Sequence, residues 1–398
     1  MSGRKGIEKD PDAIALVEEL DGLPLALSTA GVYLEHVTTS FSDYLQLYKT
    51  SWLKLQSTSP LLDSYENRTL YTTWQITFDR IEQRNPASAK LLKLWAYFRR
   101  EDLWFDLLRH TNSVDDEWIQ KLTKDELDSN EAITLLCTFG LVDPDRSPQQ
   151  PVGARGYSVH SCVHSWILFV LNKEWDKSLA RLALTCVASE VPDTNEKHWW
   201  LSQRRLLQHA TQQAFFIADA KVDIDGPDWV FHNLGDLYSH QGKIAEAEAM
   251  YLRALQGREK ALGPDHTSIL HTINNLSNLY SNQGSLYSDQ GKLAKGEKMY
   301  LRALEGYENA LGLESASSYL PALNTMFAFG DLFSQTDRKD MARAIYYRAL
   351  SGYTTVQGPS SKRARQVQDR LQALQVASTE SNKLTKLSAD FGRAGGRY

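Results

Sequence analysis

The run His160, Cys162, His164 places three metal-ligating side chains within five residues. Zinc needs four converging N or S donors. Two histidines four apart share one helix face, but Cys162 points elsewhere, and no Glu or second ligand pair lies close by. The run therefore does not read as a metal site. Cys137, Cys162 and Cys186 are few, odd in number and unclustered. They read as reduced thiols rather than a disulfide frame, and no Ser-His-Asp or Cys-His grouping assembles from the spacing. Phosphoryl transfer needs a Gly-x-x-x-x-Gly-Lys-Ser/Thr loop, whose backbone N–H groups wrap phosphates. None is present: Gly3-Arg4-Lys5-Gly6 is too short and lacks the hydroxyl, and the glycines over 392–396 follow no strand. No catalytic residue is assigned, and the chain reads as a non-enzyme. What remains is recognition chemistry. His232, Asn233, Asp236, His240, Asn274, Asn275 and Asn278 are polar side chains set into otherwise apolar runs.

The elements that carry those residues repeat. Leu234–Lys243 precedes Ala247, Tyr251, Ala254 and Leu255; Leu286–Lys292 precedes Tyr300, Ala303 and Leu304; a third copy runs from Phe329 through Phe333, Ala342, Tyr346 and Ala349 to Gly358. Such self-similarity signifies stacked helical hairpins. Gly235, Ser277 and Gly330 fall where two helices approach closely, and Tyr238, Tyr280 and Phe333 follow on the same face. Gln241-Gly242 and Gln290-Gly291 read as ends of first helices. Alanines thin the second helices, and Tyr251, Tyr300 and Tyr346 fill the gaps. This pattern resembles the tetratricopeptide repeat, and the long second helix resembles the kinesin-light-chain type. The resemblance implies an α-solenoid whose first helices line a concave face. That face would take a protein or peptide on the seven polar residues named above.

The spacing is uneven. Leu279–Ser285 is echoed immediately by Leu286–Lys292. Seven residues are close to two helical turns, so the insertion nearly keeps the buried face in phase and is absorbed by lengthening a helix. Four further residues fall in the Ser-rich loop Ser315–Ser318.

The N-terminal half carries a different pattern. Asp10 caps a helix starting at Pro11, and Gly22 and Pro24 break it and start another. The string Leu20–Leu27, Leu-Asp-Gly-Leu-Pro-Leu-Ala-Leu, resembles the signature of the NB-ARC module of STAND signalling ATPases. The resemblance implies that Gly22 and Pro24 lie near the adenine of a bound nucleotide. Helical patterns over Arg68–Ile81, Ser88–Phe98 and Glu131–Leu141, then a brief alternation at Tyr157-Ser158-Val159, resemble a winged helix. Val159–His164 sits where that family carries Met-His-Asp. His160 matches the histidine that touches the β-phosphate of ADP, and Ser161 stands in place of the Asp. From Trp175 to Ala218, Leu179, Leu182, Ala183, Val187, Trp199, Trp200, Leu206, Leu207 and Phe215 give amphipathic helices of a spacer. Trp166 and Leu168–Leu171 read as core.

Fold class follows: mostly all-α. The expected order is a helical NB-ARC-like subdomain over 8–62, a winged-helix-like domain over 63–172 and a helical spacer over 173–226. Tetratricopeptide repeats with a capping helix then occupy 227–377, before a disordered basic tail over 378–398. The chain has 398 residues and a net charge of −5, which argues against a general nucleic-acid binder. No apolar run reaches membrane-spanning length and no apolar signal core opens the chain, so a cytoplasmic location is expected. The arrangement resembles fungal NLR-like proteins without the ATPase core. It implies a regulatory scaffold that is the C-terminal portion of a larger STAND protein. No cofactor is expected in this chain; ADP or ATP enters only with an upstream phosphate-loop domain, and oligomers only in that full-length context. The alternative is a stand-alone kinesin-light-chain-like cargo adaptor. Such adaptors carry a long coiled coil, and no sustained heptad run precedes Phe231.

Overall fold

A computed structural model describes residues 10–58, 65–109, 117–145, 156–219, 228–263, 266–287 and 290–376. They form two compact units, Met1–Gly226 and Pro227–Tyr398. The expected tail over 378–398 lies outside the described residues. No helix among the described residues is long and apolar enough to cross a membrane.

In the first unit, α1 (Pro11–Glu19) starts where Asp10 accepts from the N–H groups of Asp12 and Ala13 at 2.9 and 3.3 Å. α2 (Pro24–His36) and α3 (Phe41–Thr58) pack on α4 (Tyr65–Arg84), burying Tyr44, Tyr48 and Trp74. Then come α5 (Pro86–Trp95), β1 (Leu103–Trp104), α6 (Glu117–Lys124), α7 (Glu126–Thr138), β2 (Asp143–Pro144) and β3 (Gly156–Ser158). The sheet is antiparallel in the order β1-β3-β2, with Leu103 opposite Tyr157 and Asp143 opposite Ser158. The β3 alternation is legible in sequence; β1, two residues long, is not.

α8 (Ser161–Trp166) continues as a π-helical turn over Ile167–Leu171. Trp166 is fully buried, with its ring 5.9 Å from Trp74 and 6.1 Å from Phe78. The expectation that Leu168–Leu171 is core fails at Phe169, which is 69% exposed. The wider turn shifts the phase that an α-helical count assumes.

α9 (Lys177–Ser189) and α10 (Trp199–Ala218) follow; Leu206 is buried as expected, but the rest of the buried stripe of α10 differs from the sequence reading. Trp200 and Phe215 are exposed, whereas Gln203, His209 and Gln213 are fully buried. Gln213 Nε2 donates to the Tyr97 carbonyl at 2.7 Å, and His209 Nε2 lies 3.1 Å from the Asp102 carbonyl. Arg205 Nε contacts both Asp102 carboxylate oxygens at 2.8 Å, and its guanidinium stacks 4.0 Å from the Trp104 ring centroid. The non-helical backbone around Tyr97 and Asp102 leaves carbonyls that need donors, and α10 supplies them.

The second unit is three helical hairpins: α11 (Asp228–His240) with α12 (Ile244–Leu262), α13 (Thr267–Tyr287) with α14 (Gln290–Leu311), and α16 (Leu320–Gln335) with α17 (Lys339–Gln357). The expected loop Ser315–Ser318 is helical in its first half, which closes a short helix, α15 (Leu313–Ala316), and turns only from Ser317 onward. A Cβ on Gly235 would come within 2.5 Å of the Tyr251 ring, and one on Gly330 within 2.5 Å of Tyr346. The small residue and the tyrosine knob are therefore one packing unit. Ala247, Ala254, Ala303, Ala342 and Ala349 are all fully buried. A final helix, α18, over 362–376 buries Ala364, Val367, Leu371 and Leu374 in the cluster that holds Phe333, Tyr346 and Tyr353. It caps the last repeat, as its apolar spacing predicts.

One boundary differs from the sequence reading. Gln290-Gly291 begins α14 rather than ending a first helix. The first heptapeptide copy lies within α13, and the second straddles the boundary, so its Gln-Gly falls in the first turn of α14.

Candidate functional site

Six of the seven polar residues expected to meet a partner lie on α11 and α13 among buried apolar neighbours, and the seventh, His240, ends α11. The repeat fixes a specific bond there. Each knob tyrosine donates to the residue that follows the small position: Tyr251 Oη to Asp236 at 2.6 Å, Tyr300 Oη to Asn278 at 2.6 Å and Tyr346 Oη to Asp331 at 2.5 Å. The separations are 251 − 236 = 15, 300 − 278 = 22 and 346 − 331 = 15 residues. The middle repeat is longer by the inserted seven. The first heptapeptide copy, Leu279-Tyr280, holds the buried slots at 2% and 4% exposure.

Asp236 is a hub. Besides Tyr251 it accepts from Asn275 Nδ2 at 2.9 Å, across to the next first helix, and His232 Nε2 stands 3.6 Å away. His232 is buried, and its Nδ1 is 3.0 Å from Thr272 Oγ1. Arg258 is buried beside them: Nε donates to Asp228 at 3.0 Å, and Nη1 to the Ser268 carbonyl at 2.7 Å and Thr272 Oγ1 at 2.6 Å. Burial pushes the His232 imidazole down to about 4, against the pull of Asp236. Burial, with Asp236 alongside, raises the Tyr251 phenol far above its ordinary range, so its proton stays on the bond to Asp236.

Of the seven, His232, Asp236, Asn275 and Asn278 are thus engaged within the scaffold. Asn274 is buried, with Oδ1 lacking a hydrogen-bond partner among the described residues. Asn233 is half-buried and His240 is exposed at the end of α11. Asp331 was not picked out from sequence, although Gly330-Asp331 repeats Gly235-Asp236. It accepts from Tyr346 and from Arg370 Nε of α18 at 2.9 Å.

In the first unit, Gly22 has φ +65 in the turn between α1 and α2, with open space where a Cβ would stand, and Pro24 is the exposed first residue of α2. His160 caps α8: its Nδ1 accepts from the Cys162 N–H at 3.3 Å, and its ring is exposed. His164 turns inward instead, with Nε2 donating to the Phe98 carbonyl at 3.3 Å, and burial lowers its pKa. Burial also raises the Cys137 thiol to about 11 and the Cys186 thiol further, so neither is a poised nucleophile.

Residues 229–268 and 277–355 each match tetratricopeptide repeat models. The chain therefore carries tetratricopeptide repeats, modules that scaffold protein interactions. A nucleotide-binding leucine-rich repeat (NLR)-like protein of Hyaloscypha variabilis is 24% identical over 287 residues, which covers 68% of this chain and 26% of the relative. The chain spans about a quarter of that protein's length. The crystal structure of BtubC (BKLC) from P. vanneervenii superposes with a TM-score of 0.36 at 17% identity, over 56% of this chain and 83% of that one.

Proposed function

We propose that this chain is a non-catalytic regulatory scaffold of an NLR-like STAND signalling protein, acting in the cytoplasm. Its tetratricopeptide unit captures a protein or peptide on the concave first-helix face. The observation that carries this reading is the in-register row of polar side chains on α11, α13 and α16, locked by the tyrosine bonds to Asp236, Asn278 and Asp331. A preorganised row of this kind lowers the ordering cost of binding an extended segment. His240, exposed at the end of α11, and Asn233, half-buried on the same helix, would touch the partner. His232, Asp236, Asn274, Asn275 and Asn278 set its shape.

The NLR-like relative and the element order of the first unit support the signalling half of the reading. Helix α5, strand β1, helices α6 and α7, then hairpin β2–β3 is the order of a winged helix. Gly22, Pro24 and His160 would form one wall of an ADP site, completed by a phosphate-loop domain upstream in a longer protein. Selection of a phage-displayed peptide library on the full chain tests the scaffold. Selected peptides should lose affinity with Asn233→Ala plus His240→Ala and keep it with Leu252→Ala on the second helix. A selection with no enriched peptide, or peptides indifferent to the first-helix pair, would refute it.

A further inference from the structure

Consecutive second helices are tied by two rows of ion pairs. Eight residues before each knob tyrosine stands a base. Lys292 and Arg338 reach back to Glu248 at 3.4 Å and Glu297 at 2.8 Å, each three residues before the preceding knob. Two residues after each knob stands an arginine. Arg302 pairs with Glu259, and Arg348 with Glu308 at 2.7 Å, each eight residues after the preceding knob. A second helix thus shows two carboxylates eleven residues apart toward the repeat that follows it: 259 − 248 = 11 and 308 − 297 = 11. It shows two bases toward the repeat that precedes it.

The two ends of the stack are unlike. In the last repeat Arg343 and Thr354 occupy the two carboxylate positions, and α18 covers that end. The C-terminal end therefore lacks the carboxylate pair. The first repeat keeps both bases. Lys243 turns to Glu246 of its own helix, 4.0 Å away. Arg253 has its Nη1 buried with no hydrogen-bond partner among the described residues. An unsatisfied buried guanidinium nitrogen costs more than a satisfied one, so a carboxylate brought to this position would be stabilising.

We propose that the N-terminal edge of the repeat stack, at Lys243 and Arg253, docks an acidic helix of a partner protein that carries two carboxylates three turns, or eleven residues, apart. Eleven residues return to the same helix face, so one straight helix presents both groups at once. Among the described helices only α12 and α14 bear carboxylates at that spacing, and all four are spent on the next repeat. α10, the helix that precedes the repeats in the chain, has none over Trp199–Ala218. No described helix of this chain therefore has a spare pair to supply. The site is separate from the first-helix face.

The probe is a side-chain-stapled peptide of residues 243–263, which bears Glu248 and Glu259, labelled and titrated with the full chain by fluorescence anisotropy. The staple is needed because a helix cut from its fold loses the tertiary packing that supplies most of its stability. Saturable binding is expected. It should weaken at least about tenfold, near 1.4 kcal/mol, when the peptide carries Glu248→Gln and Glu259→Gln, or when the protein carries Lys243→Ala and Arg253→Ala. An unchanged melting temperature checks that the protein variant is folded; if it is not, the peptide variant decides alone. Asn233→Ala plus His240→Ala should leave this binding unchanged. Absence of saturable binding, or binding indifferent to removal of the peptide's carboxylates, would overturn the proposal.

Discussion

The close approach of Gly235 to Tyr251 can be tested by a double-mutant cycle. Gly235→Ala puts a Cβ 2.5 Å from the Tyr251 ring. The ring cannot swing aside, because it is 2% exposed and its hydroxyl is bonded to Asp236. Overpacking of this kind costs about 1–3 kcal/mol, while Gly to Ala inside a helix returns about 0.5–1 kcal/mol. The net expectation is a loss of about 1–2 kcal/mol. Tyr251→Ala alone removes a buried aromatic, at about 3–5 kcal/mol. In the double variant the collision has no partner and only the helix gain remains. It should therefore be about 0.5–1 kcal/mol more stable than Tyr251→Ala. The coupling is then about 2 kcal/mol, well above the scatter of independent sites. Gly330 and Tyr346 repeat the geometry, with the same 2.5 Å, and give an internal replicate. Because the chain has two compact units, a single unfolding curve mixes them. Hydrogen exchange of α11 and α12 amides across a urea series reads the local opening free energy directly. Additive effects, or a neutral Gly235→Ala, would show that the small position is not a contact point.

Three further outcomes are expected. Deleting Leu279–Ser285 moves Leu286 and Tyr287 into the buried slots and restores the 22 − 7 = 15 spacing of the tyrosine bond, so circular dichroism should show a folded protein of unchanged or slightly higher stability; loss of helicity would mean that the insertion is needed for packing. His232 has its pKa lowered to about 4 from an ordinary 6.5, so it binds a proton in the unfolded chain before it does so in the folded one. Its contribution is complete above about pH 6.5 and is lost as pH falls toward 4, so exchange-derived stability of the repeats should drop over that window, and His232→Gln should flatten the drop; an equal slope in both proteins would refute the assignment. Calorimetry with ADP should show no binding tighter than about 1 μM, near −8 kcal/mol, and magnesium with ATP no turnover; tight binding abolished by His160→Ala would instead show that one wall of the site suffices.

The repeats were legible because their information is local. Small residue, aromatic, turn, alanine and tyrosine recur at spacings set by the helix period, and every copy confirms the others. Helix starts at Asp10-Pro11 and the break at Gly22-Pro24 were equally local, since caps and turns act within three or four residues. The NB-ARC-like string and the histidine at 160 were readable as patterns, but their placement depends on contacts that no pattern encodes.

Long-range pairing was decided elsewhere. Strand β1 exists only because Leu103 finds Tyr157, and two residues carry no period by themselves. α10 looked amphipathic by its tryptophans and phenylalanine, yet it buries Gln203, His209 and Gln213, because carbonyls about a hundred residues earlier needed donors. Which heptapeptide copy enters the core is a choice between two nearly equal phases, settled by the partner that Tyr300 reaches. The ion-pair rows join residues 40 to 44 positions apart, so their open end at Arg253 appears only when the helices are stacked. The sequence by itself determined the hairpins, through short-range periodicity. The tertiary structure alone determined which polar groups are spent inside the scaffold and which are left for a partner, because satisfaction of a polar group depends on what the fold brings next to it.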